Sequence, residues 1–219
     1  MKVKTLKTDF ELETYRHAIA NSIDVLLPLD YLKQGKVYRF FNELGHICGG
    51  FALITSGPYR VLSSIPNFEG FELDPKLKKT AEITGVWLSS EHRAKKVSLM
   101  FWMVMISKLL TCRKEYFVYA YSSKKEHLKK IYSRGNPVVL FSGETIPLPG
   151  MKDTDHESVE VVMRTRLFKQ LFKNPDFFMK RLGLVRKTTK GLHEKFIPSF
   201  IPLTSPNIDF GERESEVNR

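Results

Sequence analysis

The stretch AEITGVWLSSEHRAKKVSLMFW, residues 81–102, limits the architecture more than any other part of the chain. Thr80–Leu88 reads as a buried strand, and a polar elbow follows it. Ala94–Leu110 reads as a helix that is apolar nearly all round from Val97 onward, which predicts a buried helix. A basic turn leads into EYFVYAYS, Glu115–Ser122, a strand rich in aromatics. Two strands joined through a long helix suit parallel neighbours, which need a crossover of about this length. The rest of the chain is connected by hairpins. The expectation is therefore a mixed α/β sheet, parallel or splayed at its middle, with helices flanking it.

The hairpin signals lie on both sides of that unit. Residues 9–22, DFELETYRHAIANS, have a helical pattern with Asp9 as N-cap and Leu12, Tyr15 and Ile19 on one face. Two apolar runs follow, Val37–Phe41 and Ile47–Thr55, joined by Glu43-Leu44-Gly45-His46. Gly49 and Gly50 inside the second run predict a bulge or a close approach of another group to the backbone. Residues 56–79 are rich in turn dipeptides and read as loop. Downstream, SSKKEHLKKIYSRG is a short helix capped by Ser122 or Ser123 and ended by Gly135. NPVVLFSGETIPLPG and HESVEVVMRTRL add two strands, and a helix is expected over Leu167–Phe172. The natural division is a domain over 1–165 and a basic, helical and irregular extension over 166–219.

One feature of the central unit asks for a ligand. Arg93, Lys95 and Lys96 stand where the helix begins. Cations are unfavourable at that end of a helix dipole unless an anion shares the site. The wider charge points the same way. The formal net charge is +11, and eleven lysines and arginines fall between His92 and Asn136 against only Glu115 and Glu126. A second basic block runs from Arg164 to Lys195. Such a field suits nucleic acid, a phosphorylated cofactor, an anionic membrane or an acidic carrier protein, or else serves as a solubilising surface.

Other classes find little support. There is no run of eighteen apolar residues, and MKVKTLKTDFELE lacks the apolar core of a signal peptide, so a cytosolic protein without a transmembrane segment is expected. Cys48 and Cys112 read as two separate buried or half-buried thiols. His156, with Asp153, Asp155 and Glu157, is a conceivable metal cluster, but the stretch reads better as a solvated loop, and no metal is expected. No Walker loop, GxSxG elbow or dinucleotide fingerprint occurs.

The order of elements resembles the GNAT acyltransferase fold over roughly residues 35–165. VYRFFNELGHICGGFALIT resembles the family's second and third strands. WLSSEHRAKKVS resembles its donor-binding segment, with Arg93 in the Arg/Gln place, although Lys96 and Ser98 replace the two glycines. HLKKIYSRGNPVVLFSG resembles the fourth helix and the strand after it, with Tyr132 in the Tyr place. Within the superfamily, AEITGVWLSSEHR after a long loop is most similar to the branch of acyl-homoserine-lactone synthases and N-acyl amino acid synthases. Glu82 and Thr84 match that branch's Glu-x-Ser, while Gly85 departs from its Arg.

The resemblance implies an N-acyltransferase that moves an acyl group from an acyl-thioester to the primary amine of a small acceptor such as an amino acid. The donor is the phosphopantetheine of an acyl carrier protein or coenzyme A. Its peptide-like arm pairs with Trp87, Leu88 and Ser89, and its phosphate sits among Arg93, Ala94, Lys95, Lys96, Val97 and Ser98. Lys96 in place of glycine narrows the backbone nest but adds a point charge. Glu82 is the candidate general base, the N–H near Leu88 the carbonyl donor, and Tyr132 the candidate acid for the departing sulfur. Glu82 reads equally as an ion-paired carboxylate, and Tyr132 as a packing residue. Met100, Phe101, Met103, Met105, Phe117 and Tyr119 line an acyl pocket or simply the core. Two further readings stay open on the same scaffold: an enzyme that modifies nucleic acid, and a basic binding module without catalysis.

Overall fold

The structure is a computed structural model and describes residues 1–68, 74–89, 95–151 and 154–173, all within one compact unit, Met1–Arg186. Its centre is a seven-stranded sheet. The strands are β1 (Lys2–Leu6), β2 (Gly35–Phe41), β3 (Ile47–Ile54), β4 (Thr80–Leu88), β5 (Tyr116–Ser122), β6 (Val138–Glu144) and β7 (His156–Met163). They lie in the order β1-β2-β3-β4-β5-β7-β6. Only β4 and β5 are parallel, as the long crossover between them requires; every other neighbouring pair is antiparallel.

One face of the sheet is covered by α1 (Asp9–Ile23), α2 (Leu29–Lys33) and the short α3 (Arg60–Ser63), which bury Leu12, Tyr15, Ile19, Leu32 and Leu62 against Val37, Ala52, Ile54, Val118 and Val159. The other is covered by α5 (Lys95–Thr111), with α6 (Glu126–Tyr132) and α7 (Arg164–Lys173) beside it, around Phe40, Phe51, Phe101, Met105, Leu109, Phe117 and Val162. Phe101 packs on Phe40 and Phe51, with ring centroids 4.8 and 6.2 Å apart. A further turn of helix, α4 (Asp74–Leu77), precedes β4. Among the described residues no helix is long and apolar enough to cross a membrane.

Several expectations are corrected. The N-cap of α1 is Thr8, one residue earlier than Asp9: its hydroxyl accepts from Glu11 N–H at 3.3 Å while Glu11 Oε2 accepts from Thr8 N–H at 3.2 Å, a reciprocal capping box. Neither Ser122 nor Ser123 caps α6. Its N-cap is Lys125, which makes no side-chain cap, and the Ser123 hydroxyl instead donates to His156 C=O at 2.7 Å. The stretch expected to be loop over 56–79 contains α3 and α4. The helix α5 is not buried all round, since Met100 is 37% and Met103 54% exposed. Cys48 and Cys112 are free thiols, the first buried and the second half-buried.

Candidate active site

The parallel pairing of β4 with β5 is short. It joins Thr80, Ala81 and Glu82 to Tyr116, Phe117 and Val118 and then stops. Beyond that point β4 stays with β3 as far as Leu88, and β5 stays with β7 as far as Ser122. The two strands therefore part into a cleft at the C-terminal half of each. A bulge in β4 contributes to the divergence: Gly50 pairs with Trp87 and Ala52 with Thr84, so Gly85 and Val86 together oppose Phe51. Gly85 sits at φ +59°, and a Cβ there would lie 2.8 Å from Ile19 Cδ1. Its carbonyl accepts from the Tyr15 hydroxyl at 3.1 Å. Tyr15 in turn lies where a Cβ on Gly50 would be, 2.5 Å from its ring, which is the close approach the paired glycines predict.

Glu82 stands where the strands begin to part, fully buried on the face covered by α1, α2 and α3. Its Oε2 accepts from Val61 N–H at 3.2 Å. The Tyr31 hydroxyl and the Arg60 guanidinium lie beside the carboxyl, yet neither Glu82 Oε1 nor the Tyr31 hydroxyl makes a hydrogen bond of good geometry. Arg60 is placed over the Tyr31 ring, 5.6 Å from its centroid, and makes no close ion pair with Glu82. Burial pushes Glu82 up to about 7, against the opposing pull of Tyr31, the Val61 N–H and Arg60. No Arg60–Glu82 ion pair forms among the described residues, and burial outweighs the Arg60 charge in setting the direction of the shift.

Tyr132 is on the opposite face. Its ring stacks between Tyr119 and Tyr121, with centroid distances of 4.8 and 5.1 Å. Those two tyrosines are fixed by a buried carboxylate that sequence reasoning passes over: Glu160 accepts from the Tyr119 hydroxyl at 3.0 Å, the Tyr121 hydroxyl at 2.7 Å and the Ser158 hydroxyl at 3.2 Å. Burial, then the Glu160 charge, push Tyr132 up to about 12, so it keeps its proton at physiological pH. The signal for Glu160 lies in β5, where tyrosines two residues apart put two hydroxyls on one sheet face and require an acceptor there.

Between this cluster and α5 lies an apolar cavity of about 100 Å³. Ile83, Tyr119 and Val162 form its inner wall. Trp102, Met105, Ile106 and Leu109 of α5, the end of α6 and the 3₁₀ turn Ser133–Gly135, and Leu167 and Gln170 of α7 form the rest. Of the six residues expected around an acyl pocket, Met105 and Tyr119 line this cavity. Phe101 and Phe117 are in the core behind it, and Met100 and Met103 face outward, because α5 turns Met105 and Leu109 toward the sheet instead.

The donor segment is described in part. Trp87 and Leu88 form the half-buried end of β4, and Ser89, also half-buried, follows it. Ser89 N–H donates to Cys48 C=O at 2.9 Å, and the alternation of an antiparallel ladder then turns the Leu88 peptide groups away from β3, toward the cleft. The helix α5 begins at Lys95 and has no acidic residue in its first turn. Val97 and Ser98 are half-buried, while Arg93 and Ala94 lie outside the described residues. Of the conceivable metal cluster, Asp155 pairs with Lys124 at 3.0 Å and Glu157 accepts from Thr145, Asp153 lies outside the described residues, and no group of metal-ligating side chains occurs among those described.

No family model matches the chain, and no curated protein sequence does. Solved structures match its fold. FeeM, an N-acyl amino acid synthase from uncultured soil microbes, superposes with a TM-score of 0.58 at 14% identity, covering 78% of this chain and 97% of that one. A spermidine N-acetyltransferase, SpeG from Vibrio cholerae, superposes with a TM-score of 0.52 at 10% identity, covering 78% and 99%. The chain has the GNAT acyltransferase fold.

Proposed function

We propose that the protein is an N-acyltransferase that transfers an acyl group from a phosphopantetheine thioester, on an acyl carrier protein or coenzyme A, to the amine of a small acceptor such as an amino acid. The observation that carries this reading is the parting of β4 from β5 directly over an apolar cavity, with one titratable group on each face of the sheet. Where β4 leaves β5, the two strands no longer pair and a gap opens between them. A pantetheine arm, which is peptide-like, can replace the missing strand along Trp87–Ser89. The first turn of α5, free of acidic side chains, suits the arm's phosphate. The cavity then takes the end of the acyl chain. A cavity of 150 Å³ in another protein binds benzene, so this one suits only a few carbons.

The chemistry follows from the two faces. The acceptor nitrogen attacks the thioester carbonyl carbon, the C–S bond breaks, and the nitrogen loses a proton. Glu82 takes that proton, directly or through a water; a carboxyl at about 7 is basic enough to accept and is still partly ionised. An acceptor amine beside α3 would also supply the hydrogen bonds that Glu82 Oε1 and the Tyr31 hydroxyl lack. The carbonyl oxygen gathers negative charge and is met by the Leu88 N–H. Tyr132, held protonated, donates a hydrogen bond to the departing sulfur.

The test is direct. Purified protein is given short-chain acyl-coenzyme A, or acyl carrier protein loaded with the same short chain, together with a mixture of amino acids and simple amines. Release of free thiol is followed, and mass spectrometry seeks the amide product. Amide formation lost in Glu82→Gln supports the reading; no amide from either donor rejects it.

A further inference from the structure

We propose that the face built from α6, the 3₁₀ turn and α7 rests on the surface of an anionic lipid bilayer, with the apolar cavity opening toward the lipid. This does not depend on the acyl-transfer reading. The two helices are joined at that face, because α7 packs against both the 3₁₀ turn and α5. Ile131, Arg134 and Gly135 on one side and Leu167 and Gln170 on the other line the cavity, and Arg134 is exposed while the others are half-buried, so the cavity's solvent-facing side lies between these helices.

The charge of the face is one-sided. The helix α6 carries Lys129 and Lys130 in its last turn with only Glu126 opposing them, and α7 has four cations and no acidic residue. Lys129, Lys130 and Lys169 are exposed, and among the described residues none of them enters an ion pair. Large apolar side chains are exposed among these cations. Phe168 on α7 is 50% exposed and Val139 on β6 is 54% exposed. Val139 pairs across the ladder with Glu160, whose side chain lies under α6, so Val139 is on the same face of the sheet as the lysines.

Cations alone would suit nucleic acid, and an acidic protein would meet them equally well. Exposed Phe and Val set among lysines, at the opening of an apolar cavity, fit a bilayer better. Lipid phosphates meet the ammonium groups, and the acyl region takes the apolar side chains.

The experiment is flotation of the full chain with vesicles of phosphatidylcholine alone or mixed with phosphatidylglycerol, across a salt series. The expected result is binding to the anionic vesicles only, weakening as salt rises. Each lysine near an anionic surface contributes a factor of about five, so K129Q/K130Q/K169Q should bind roughly a hundredfold more weakly. Phe168→Ser should lower binding about tenfold. All of these side chains are exposed, and unchanged circular dichroism and melting temperature exclude misfolding as the cause. Equal binding to neutral vesicles, or none to anionic ones, overturns the proposal. So does binding that the triple variant leaves intact, which would place it on another basic segment. Binding of an acidic carrier protein through the same lysines, with no vesicle binding, would assign the face to a protein instead.

Discussion

Replacing Glu82 by Gln should change how the protein's stability depends on pH, in a direction set by its burial. The carboxyl has its pKa pushed from 4.5 to about 7 because burial disfavours the charged form. The native state then binds this proton more tightly than the unfolded chain does. Between pH 4.5 and 7 the unfolded chain has lost the proton and the native state has not, so unfolding releases it and stability falls as pH rises. The fall is complete above pH 7. Its size is the gap in pKa at about 1.4 kcal/mol per unit, or about 3 kcal/mol. Gln has nearly the same shape, can accept from Val61 N–H, and does not titrate. The difference in unfolding free energy, wild type minus Glu82→Gln, should therefore drop by about 3 kcal/mol from pH 4.5 to pH 7.5. In melting temperature that is on the order of 10 °C for a domain of this size. Urea melts of both proteins at half-unit steps of pH measure it. Glu11 and Asp155, whose pKa values are lowered, and Glu157, whose pKa is raised, titrate in both proteins and cancel in the difference. Two parallel stability curves would falsify the argument, because Glu82 would then be ionised throughout or proton-bound throughout.

Three further outcomes follow from the same geometry. Tyr132→Phe keeps the ring stacked between Tyr119 and Tyr121 but removes the hydroxyl, so thiol release from an acyl-thioester should slow about a hundredfold with the melting temperature nearly unchanged. Gly85→Ala forces a Cβ onto a residue at φ +59° and against Ile19, and should cost about 2 kcal/mol in a urea melt. Ile106→Phe puts extra volume into the cavity wall. It should shift donor preference toward shorter acyl chains by about tenfold in relative kcat/KM, and an unchanged preference would move the acyl site elsewhere.

The parts of the fold legible in the sequence are those whose burial is one-sided. Thr80–Leu88 and Tyr116–Ser122 show as strands because their β-branched and aromatic residues pack on a pleated surface, and the helix between them dictates the one parallel pair. The strand β1 leaves no such trace: four of its five residues are exposed at the sheet edge, and only Leu6 is buried. The order β5-β7-β6 is equally silent, since a hairpin can add to a sheet by either strand. Burial decides it, as Val159 and Val162 of β7 are inside while Val138 and Val139 of β6 are exposed. The apolar composition of α5 misleads in the opposite sense, because apolar character all round does not guarantee cover all round; Met100 and Met103 face outward. Glu82 is legible as a lone carboxylate in a buried strand. Glu160 is not, because HESVEVVM alternates like a strand with one wet face, and only the tyrosines across the ladder make that face dry.

The position of these two carboxyls bears on what the cleft can do. Glu82 lies under α3 on one face of the sheet, and Glu160 with its tyrosines lies under α6 on the other. Through most of a sheet such groups are insulated from each other by a closed ladder of backbone hydrogen bonds. Here the β4–β5 ladder ends at Glu82 itself, and Ile83, the next residue, is already in the wall of the cavity. A planar carbonyl lying in the gap can therefore be approached by a nucleophile from the Glu82 face while its leaving group departs toward Tyr132. Closing the ladder by a single further pair, Ile83 to Tyr119, would separate the proposed base, Glu82, from the proposed acid, Tyr132, without moving either side chain. On the proposed reading, it is the length of the parallel pairing, three residues, that would make two-sided chemistry available.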